Sequence, residues 1–167
     1  MSSPDRRVLL AGAASATLSL VLAGCGFKLR GAEPLAFRSI ALTGFAPRSP
    51  LAQELKDALE RSVIVEPVPA RAELVFQALL DVRERAIVAT TAAAQVREVQ
   101  LRLKLRWRTL TPAGREVTPP VELALSRDMS YSETIALAKQ HEEADLYREM
   151  QTDIVAQVLR RLAAIRI

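Results

Sequence analysis

Between Leu101 and Arg108 the chain reads LRLKLRWR, an unbroken alternation of apolar and cationic residues. Successive side chains of a β-strand point to opposite faces, so this spacing predicts one strand with two contrasting sides. Leu101, Leu103, Leu105 and Trp107 make the side that packs on a core. Arg102, Lys104, Arg106 and Arg108 line the other, about 6.6 Å apart at the usual rise per residue. An arginine fork bonds two phosphate or carboxylate oxygens at once, so such a row suits a multiply phosphorylated ligand or the acidic wall of a partner. On the preceding strand, Arg83 and Arg85 share parity with Gln77 and Asp81 and are expected on the same cationic face. Only Asp81, Glu98 and Glu122 are placed to temper that face. The plainer reading is a solvated outer face whose charges discourage edge aggregation. Either way, cations this dense call for a counter-anion.

A second residue that could carry chemistry is the single cysteine, Cys25. One cysteine excludes a disulfide framework, and one cysteine with one histidine excludes a standard zinc cluster. Arg6 and Arg7 precede an apolar stretch from Val8 to Ala23. A membrane span needs about 20 strongly apolar residues. This stretch is shorter and diluted by Gly, Ala, Ser and Thr, so it reads as a cleavable signal over residues 1–24. Leu22-Ala23-Gly24-Cys25 resembles the lipobox of bacterial lipoproteins at every position. Small residues there admit the peptidase, and the thiol is the nucleophile that takes diacylglycerol. Each buried CH₂ contributes about 0.8 kcal/mol, so two or three acyl chains on Cys25 make a stable anchor. Arg6-Arg7-Val8-Leu9-Leu10 is similar to a twin-arginine export signal, although Asp5 stands where that pattern favours Ser or Thr. Gly26, not aspartate, follows Cys25, and by resemblance to the lipoprotein sorting rule this directs the product to the outer membrane. Nucleic acid then drops out as a partner despite the formal charge of +4. The polyanion left in that compartment is lipopolysaccharide.

The elements that must position these residues follow from periodicity and punctuation. Residues 25–34 form a short tether, and 35–167 read as a single domain. Phe37 to Thr43 has strand composition and ends at Gly44. Ser49-Pro50 opens a helix, with Leu51, Leu55 and Leu59 as its stripe. Val63 to Val65 is a brief strand. A long strand starts near Glu73, with Leu74, Phe76, Ala78, Leu80 and Val82 expected on its core face, and Ala86 to Ala94 is expected as a hairpin loop or frayed tip. The return strand spans about Gln95 to Thr109, and Pro112-Ala113-Gly114 turns the chain into a last strand, Glu116 to Ser130, with Val121, Leu123 and Leu125 inward. Pro119 and Pro120 belong at its entrance or on an edge. Ser130 and Glu133 have capping-box spacing before a long helix striped by Tyr147, Met150, Ile154, Val158, Leu162 and Ile165. The first half of that helix is polar and is expected to project or to meet a partner. The order β-α-β-β-β-β-α predicts an α+β two-layer sandwich, a small mixed β-sheet with two helices packed on one face.

Other chemistry finds little support. His141 stands alone among charged helix residues, and Glu142-Glu143 read as a solvated helix face. The chain lacks a G-x-S-x-G elbow and a phosphate-binding glycine loop. No enzyme, metal or cofactor is expected beyond the covalent lipid on Cys25.

The two ends of the mature chain carry a family resemblance. Cys25-Gly26-Phe27-Lys28-Leu29-Arg30-Gly31 resembles the mature start of the LptE family of lipopolysaccharide-assembly lipoproteins. Arg127-Asp128-Met129-Ser130-Tyr131 with Ala136-Leu137-Ala138-Lys139 is similar to the family's entry to its last helix, as are Arg148-Glu149-Met150 and Gln157 to Leu162. The resemblance implies a small sandwich held in the lumen of the outer-membrane barrel LptD, as plug and assembly partner, that binds lipopolysaccharide in transit to the outer leaflet. It places ligand contacts on Lys139 and the cationic face. The uncharged tip AIVATTAAA departs from family members with a basic residue there, leaving Arg85 and Arg97 as its flanking cations. The rival is a periplasmic lipoprotein scaffold for outer-membrane protein assembly without direct lipopolysaccharide binding.

Overall fold

A computed structural model describes residues 34–166; the expected signal segment, Cys25 and the expected tether up to residue 33 lie outside the described residues. The first strand, β1 (Ser39–Thr43), pairs in parallel with β3 (Leu74–Thr90) and leaves the sheet at Gly44, φ +80°. A Cβ at Gly44 would collide with the carbonyl oxygen of Ala78, so only glycine fits where the chain leaves β1 beside β3. Helix α1 (Pro50–Glu60) starts as its residues require. Ser49 Oγ accepts from the Ala52 N–H at 3.1 Å, Pro50 occupies the first helical position, and Leu51, Leu55 and Leu59 are buried.

Strand β2 (Ile64–Val65) and a 3₁₀ turn (Pro69–Arg71) lead into three long antiparallel strands. These are β3 (Leu74–Thr90), β4 (Val96–Leu110) and β5 (Glu116–Ser130). The sheet order is β2-β1-β3-β4-β5, with β1 parallel to both of its neighbours, so the sheet is mixed and β5 is an edge. Helix α2 (Ala136–Ala163) returns along the side that α1 occupies. Its Met150, Ile154, Val158 and Leu162 are fully buried, in one core cluster with Leu101, Leu103, Leu105, Phe76 and Trp107. Trp107 stacks on Phe76 with ring centroids 4.7 Å apart. The expected α+β sandwich, strand count and helix placement are all present.

Two local expectations are corrected. Strand β3 continues through Ala86–Thr90, and only residues 91–95 form the hairpin turn. That turn repeats the one between β4 and β5. In each, a threonine hydroxyl accepts the N–H four residues on (Thr91 from Gln95, Thr111 from Arg115, both 3.1 Å), with a left-handed residue at the fourth position (Ala94 φ +60°, Gly114 φ +85°). Hydrogen bonds internal to the turn therefore hold even an alanine-rich tip. The Ser130–Glu133 capping box does not form. Ser130 ends β5, a 3₁₀ turn (Glu133–Ile135) intervenes, and Ile135 precedes α2 without a side-chain cap.

Candidate functional site

The register of β3 against β4 decides where each cation points. Ala78 pairs with Trp107, yet Leu80 pairs with Arg106, so Leu79 is an extra residue, a β-bulge. Beyond it the parity of β3 is reversed. Leu80, Val82 and Glu84 face Arg106, Lys104 and Arg102 on the open side, while Asp81, Arg83 and Arg85 pair with Leu105, Leu103 and Leu101 on the helix side. The expectation that Arg83 and Arg85 join the β4 row is therefore overturned, as is the core placement of Leu80 and Val82. The bulge was hidden because Ala78, Leu79 and Leu80 are all apolar and the alternation has no visible break.

On the helix side, the displaced residues meet both helices. Asp81 accepts from Ser49 Oγ at 2.5 Å and so braces the cap of α1. Arg83 donates to the side-chain oxygen of Gln151 and lies 5.2 Å from the centre of the Tyr147 ring. Gln151, 6% exposed, donates in turn to the Pro50 carbonyl (3.0 Å) and to Glu54, tying α2, α1 and β3 together. Arg85 bonds Glu143 at 3.1 Å and lies 5.3 Å from the Tyr131 ring centre. Tyr147 donates to the Glu84 carbonyl at 2.7 Å. Burial first, then the nearby Glu143 carboxylate, raises its phenol above the ordinary value of 10.0. Between the polar first half of α2 and β3, Arg83, Arg85, Tyr131, Glu143 and Tyr147, with Gln140, line an open groove of about 630 Å³. Further along, Arg127 of β5 reaches Asp153 of α2 at 3.6 Å.

The open-side row is where the alternation placed it, and neighbouring strands supply its counter-charges. Lys104 bonds both oxygens of Glu84 at 3.1 and 3.2 Å. Arg108 bonds Gln77 at 2.8 Å and reaches Glu116 at 3.5 Å. Arg102 donates to Gln100, which donates to Asp128. Arg106 pairs in register with Glu122 and makes no side-chain bond among the described residues. The anions expected opposite this row are thus largely intramolecular. Asp81, one of the three acids assigned to it, belongs to the other face.

Lys139 stands apart from both groups, on the first turn of α2. Its ammonium bonds Glu142 at 2.7 Å and Ser130 Oγ at 3.1 Å, and the side chain is 12% exposed. Sequence reasoning missed Glu143, Tyr147 and Gln151 as partners of the arginines. Their spacing of four along α2 was the available signal, since such residues share a helix face.

A family model described as LptE, lipopolysaccharide-assembly, matches residues 37–162. The chain belongs to the LptE family. This bears out the assignment expected from the residues at its two ends. Similar to this LptE-family chain is the LPS-assembly lipoprotein LptE of Photorhabdus laumondii, 26% identical over 149 residues that cover 87% of this chain and 81% of the relative. The protein of the same name in Yersinia enterocolitica is 29% identical, over 87% of this chain and 72% of its own. Among solved structures, a lipoprotein B from Nitrosomonas europaea superposes with a TM-score of 0.69 at 30% identity, covering 83% of this chain and 91% of that one. A minor lipoprotein from Acinetobacter baumannii shares the fold with a TM-score of 0.64 at 23% identity, over 78% and 94% of the two chains.

Proposed function

We propose that this LptE-family member is an outer-membrane lipoprotein, anchored by acyl chains on Cys25, whose sandwich occupies and helps assemble an LptD-like barrel. It binds lipopolysaccharide there through phosphate contacts. Its role is binding and assembly, not catalysis. No helix of the described residues is long and apolar enough to cross a membrane, which suits a domain tethered by lipid. The observation that carries the ligand reading is the open groove between α2 and β3 that Arg83 and Arg85 line with Tyr131 and Tyr147; Lys139, on the first turn of the same helix, is a separate cation near the end of β5. Guanidinium and ammonium groups there compete with divalent cations for lipid A phosphates and so loosen lipopolysaccharide aggregates. The row Arg102, Lys104, Arg106 and Arg108, in which Lys104 and Arg108 are ion-paired, is a second contact surface.

Replacing Arg85 and Lys139 together by Gln is expected to lower lipopolysaccharide affinity by roughly tenfold or more, since each is a charge-assisted donor. Unchanged affinity, with the barrel complex intact on co-purification, would remove the phosphate contact and leave the assembly role. The pairing of Lys104 and Arg108 with acids of their own sheet favours a second reading, a scaffold without direct lipid contact. Absence of a stoichiometric barrel after mild extraction of the acylated protein would favour that reading in its stand-alone form.

A further inference from the structure

Strand β5 is the outer strand of the sheet, with β4 on one side and no strand on the other among the described residues. Just past its end the Tyr131 N–H donates to the Arg97 carbonyl at 2.7 Å, which fixes the phase of the ladder. Odd-numbered residues from Val121 to Met129 therefore bond β4, and Glu122, Ala124, Ser126, Asp128 and Ser130 turn their N–H and C=O outward. Each of these is exposed. The first part of the strand is blunted, because Pro119 and Pro120 oppose the single Arg108 in a bulge and proline offers no N–H. From Val121 onward the register to β4 is regular. Arg127 Nη1 reaches the Ser126 carbonyl at 3.0 Å, which leaves that oxygen a second lone pair. Such an edge is a template for another strand.

The edge fits a second copy of itself. An antiparallel pair centred on Ser126 sets Glu122 opposite Ser130 and Ala124 opposite Asp128 on the open side of the sheet. On the helix side it sets Leu123 opposite Met129 and Leu125 opposite Arg127. No like charges meet. Sliding one copy by two residues sets Glu122 against Asp128, and sliding it the other way sets Arg127 against Arg127, both unfavourable. Charge thus selects one register. We infer that two copies of this chain pair antiparallel through residues 122–130 of β5, about a twofold axis at Ser126, and so join their sheets. The outward groups exchange on the order of ten backbone hydrogen bonds. The contact is narrow, below the roughly 1,200 Å² of a standard interface, so the pair is weak and forms where chains are concentrated, as an acyl anchor in a membrane would do. The pairing is a state of the chain on its own and is independent of the barrel and lipid reading above.

The test is a thiol scan of the full chain in neutral detergent micelles under mild oxidation, each disulfide mapped by peptide mass so that one through Cys25 is not counted. Opposed residues of such a pair lie about 5.5 Å apart at Cα, within disulfide reach, whereas a position two residues off the axis lies roughly 14 Å from its own copy. Ser126→Cys is therefore expected to cross-link at least about tenfold faster than Ala124→Cys or Glu122→Cys. Added to Ser126→Cys, Ala124→Asp sets a carboxylate against Asp128 of the second copy and is expected to lower the yield by roughly fivefold, while Ala124→Lys raises it. Equal cross-linking at the three cysteine positions, or faster cross-linking at 122 or 124, overturns the pairing. So does a Ser126→Cys chain that forms no disulfide at 126, or a yield that Asp and Lys at 124 move in the same direction. Should a charge variant fail to fold, the cysteine scan decides the register without it.

Discussion

Arg83 and Arg85 on β3 and the row from Arg102 to Arg108 on β4 lie on adjacent strands of one sheet, yet they face opposite ways. The β3 pair is wired into the helices, to Gln151, Glu143 and two tyrosine rings. Of the β4 row, Arg102, Lys104 and Arg108 are wired sideways, to β3, to β5 and to β4 itself. A charge that bridges layers holds the fold and shapes a groove, whereas a charge that bridges strands on the outer face decorates a surface. Residue type does not separate these roles; the single extra residue at Leu79 does.

The largest effect is expected where the chain leaves β1 beside Ala78, next to the bulge. Gly44→Ala forces a Cβ onto the Ala78 carbonyl at a positive φ, and a loss of about 3 kcal/mol or more is expected. Denaturant unfolding reads it; an unshifted midpoint would mean that the crossing is looser than described. Cutting only the wiring to the helices should cost less. Gln151→Leu leaves Arg83, Glu54 and the Pro50 carbonyl without their partner, for about 2 kcal/mol by the same assay. Tyr147→Phe removes one hydrogen bond, about 1 kcal/mol near neutral pH.

That tyrosine also carries a pH signature. With its folded value raised above 10.0, the stability it contributes is fully present below pH 10 and is lost as the pH rises through the folded value. Wild type should therefore show an alkaline decline that is shallower in the phenylalanine variant, and parallel pH profiles would contradict the burial of the phenol. The smallest effect belongs to the open face. Arg102→Ser/Lys104→Ser/Arg106→Ser should shift stability by less than about 1 kcal/mol, because partly exposed pairs contribute little. A larger shift would show that the outer wiring also holds the sheet.

Strand β4 was legible because a two-residue period survives wherever the ladder is regular, and from Leu101 to Trp107 it is. The helix α1 start was legible because a serine cap and a proline act within one turn. The family was legible in Cys25–Gly31 and in the motifs at and along the last helix, and the match over residues 37–162 shows it. The groove was not legible, since its arginines were assigned to the wrong face. Glu142 is exposed, as its reading on a solvated helix face expects, but it also holds Lys139, and Glu143 holds Arg85 against β3.

The sequence alone determined what depends on neighbours a few residues apart: the alternating face of β4, the capped helix and the apolar stripe of α2. Tertiary structure decided which side of the sheet Arg83 and Arg85 occupy and what they meet there. The reason is one of range. A bulge among three apolar residues leaves no mark in the pattern, and the partners that make the displaced face habitable, Glu143 and Gln151, arrive 58 and 68 residues later.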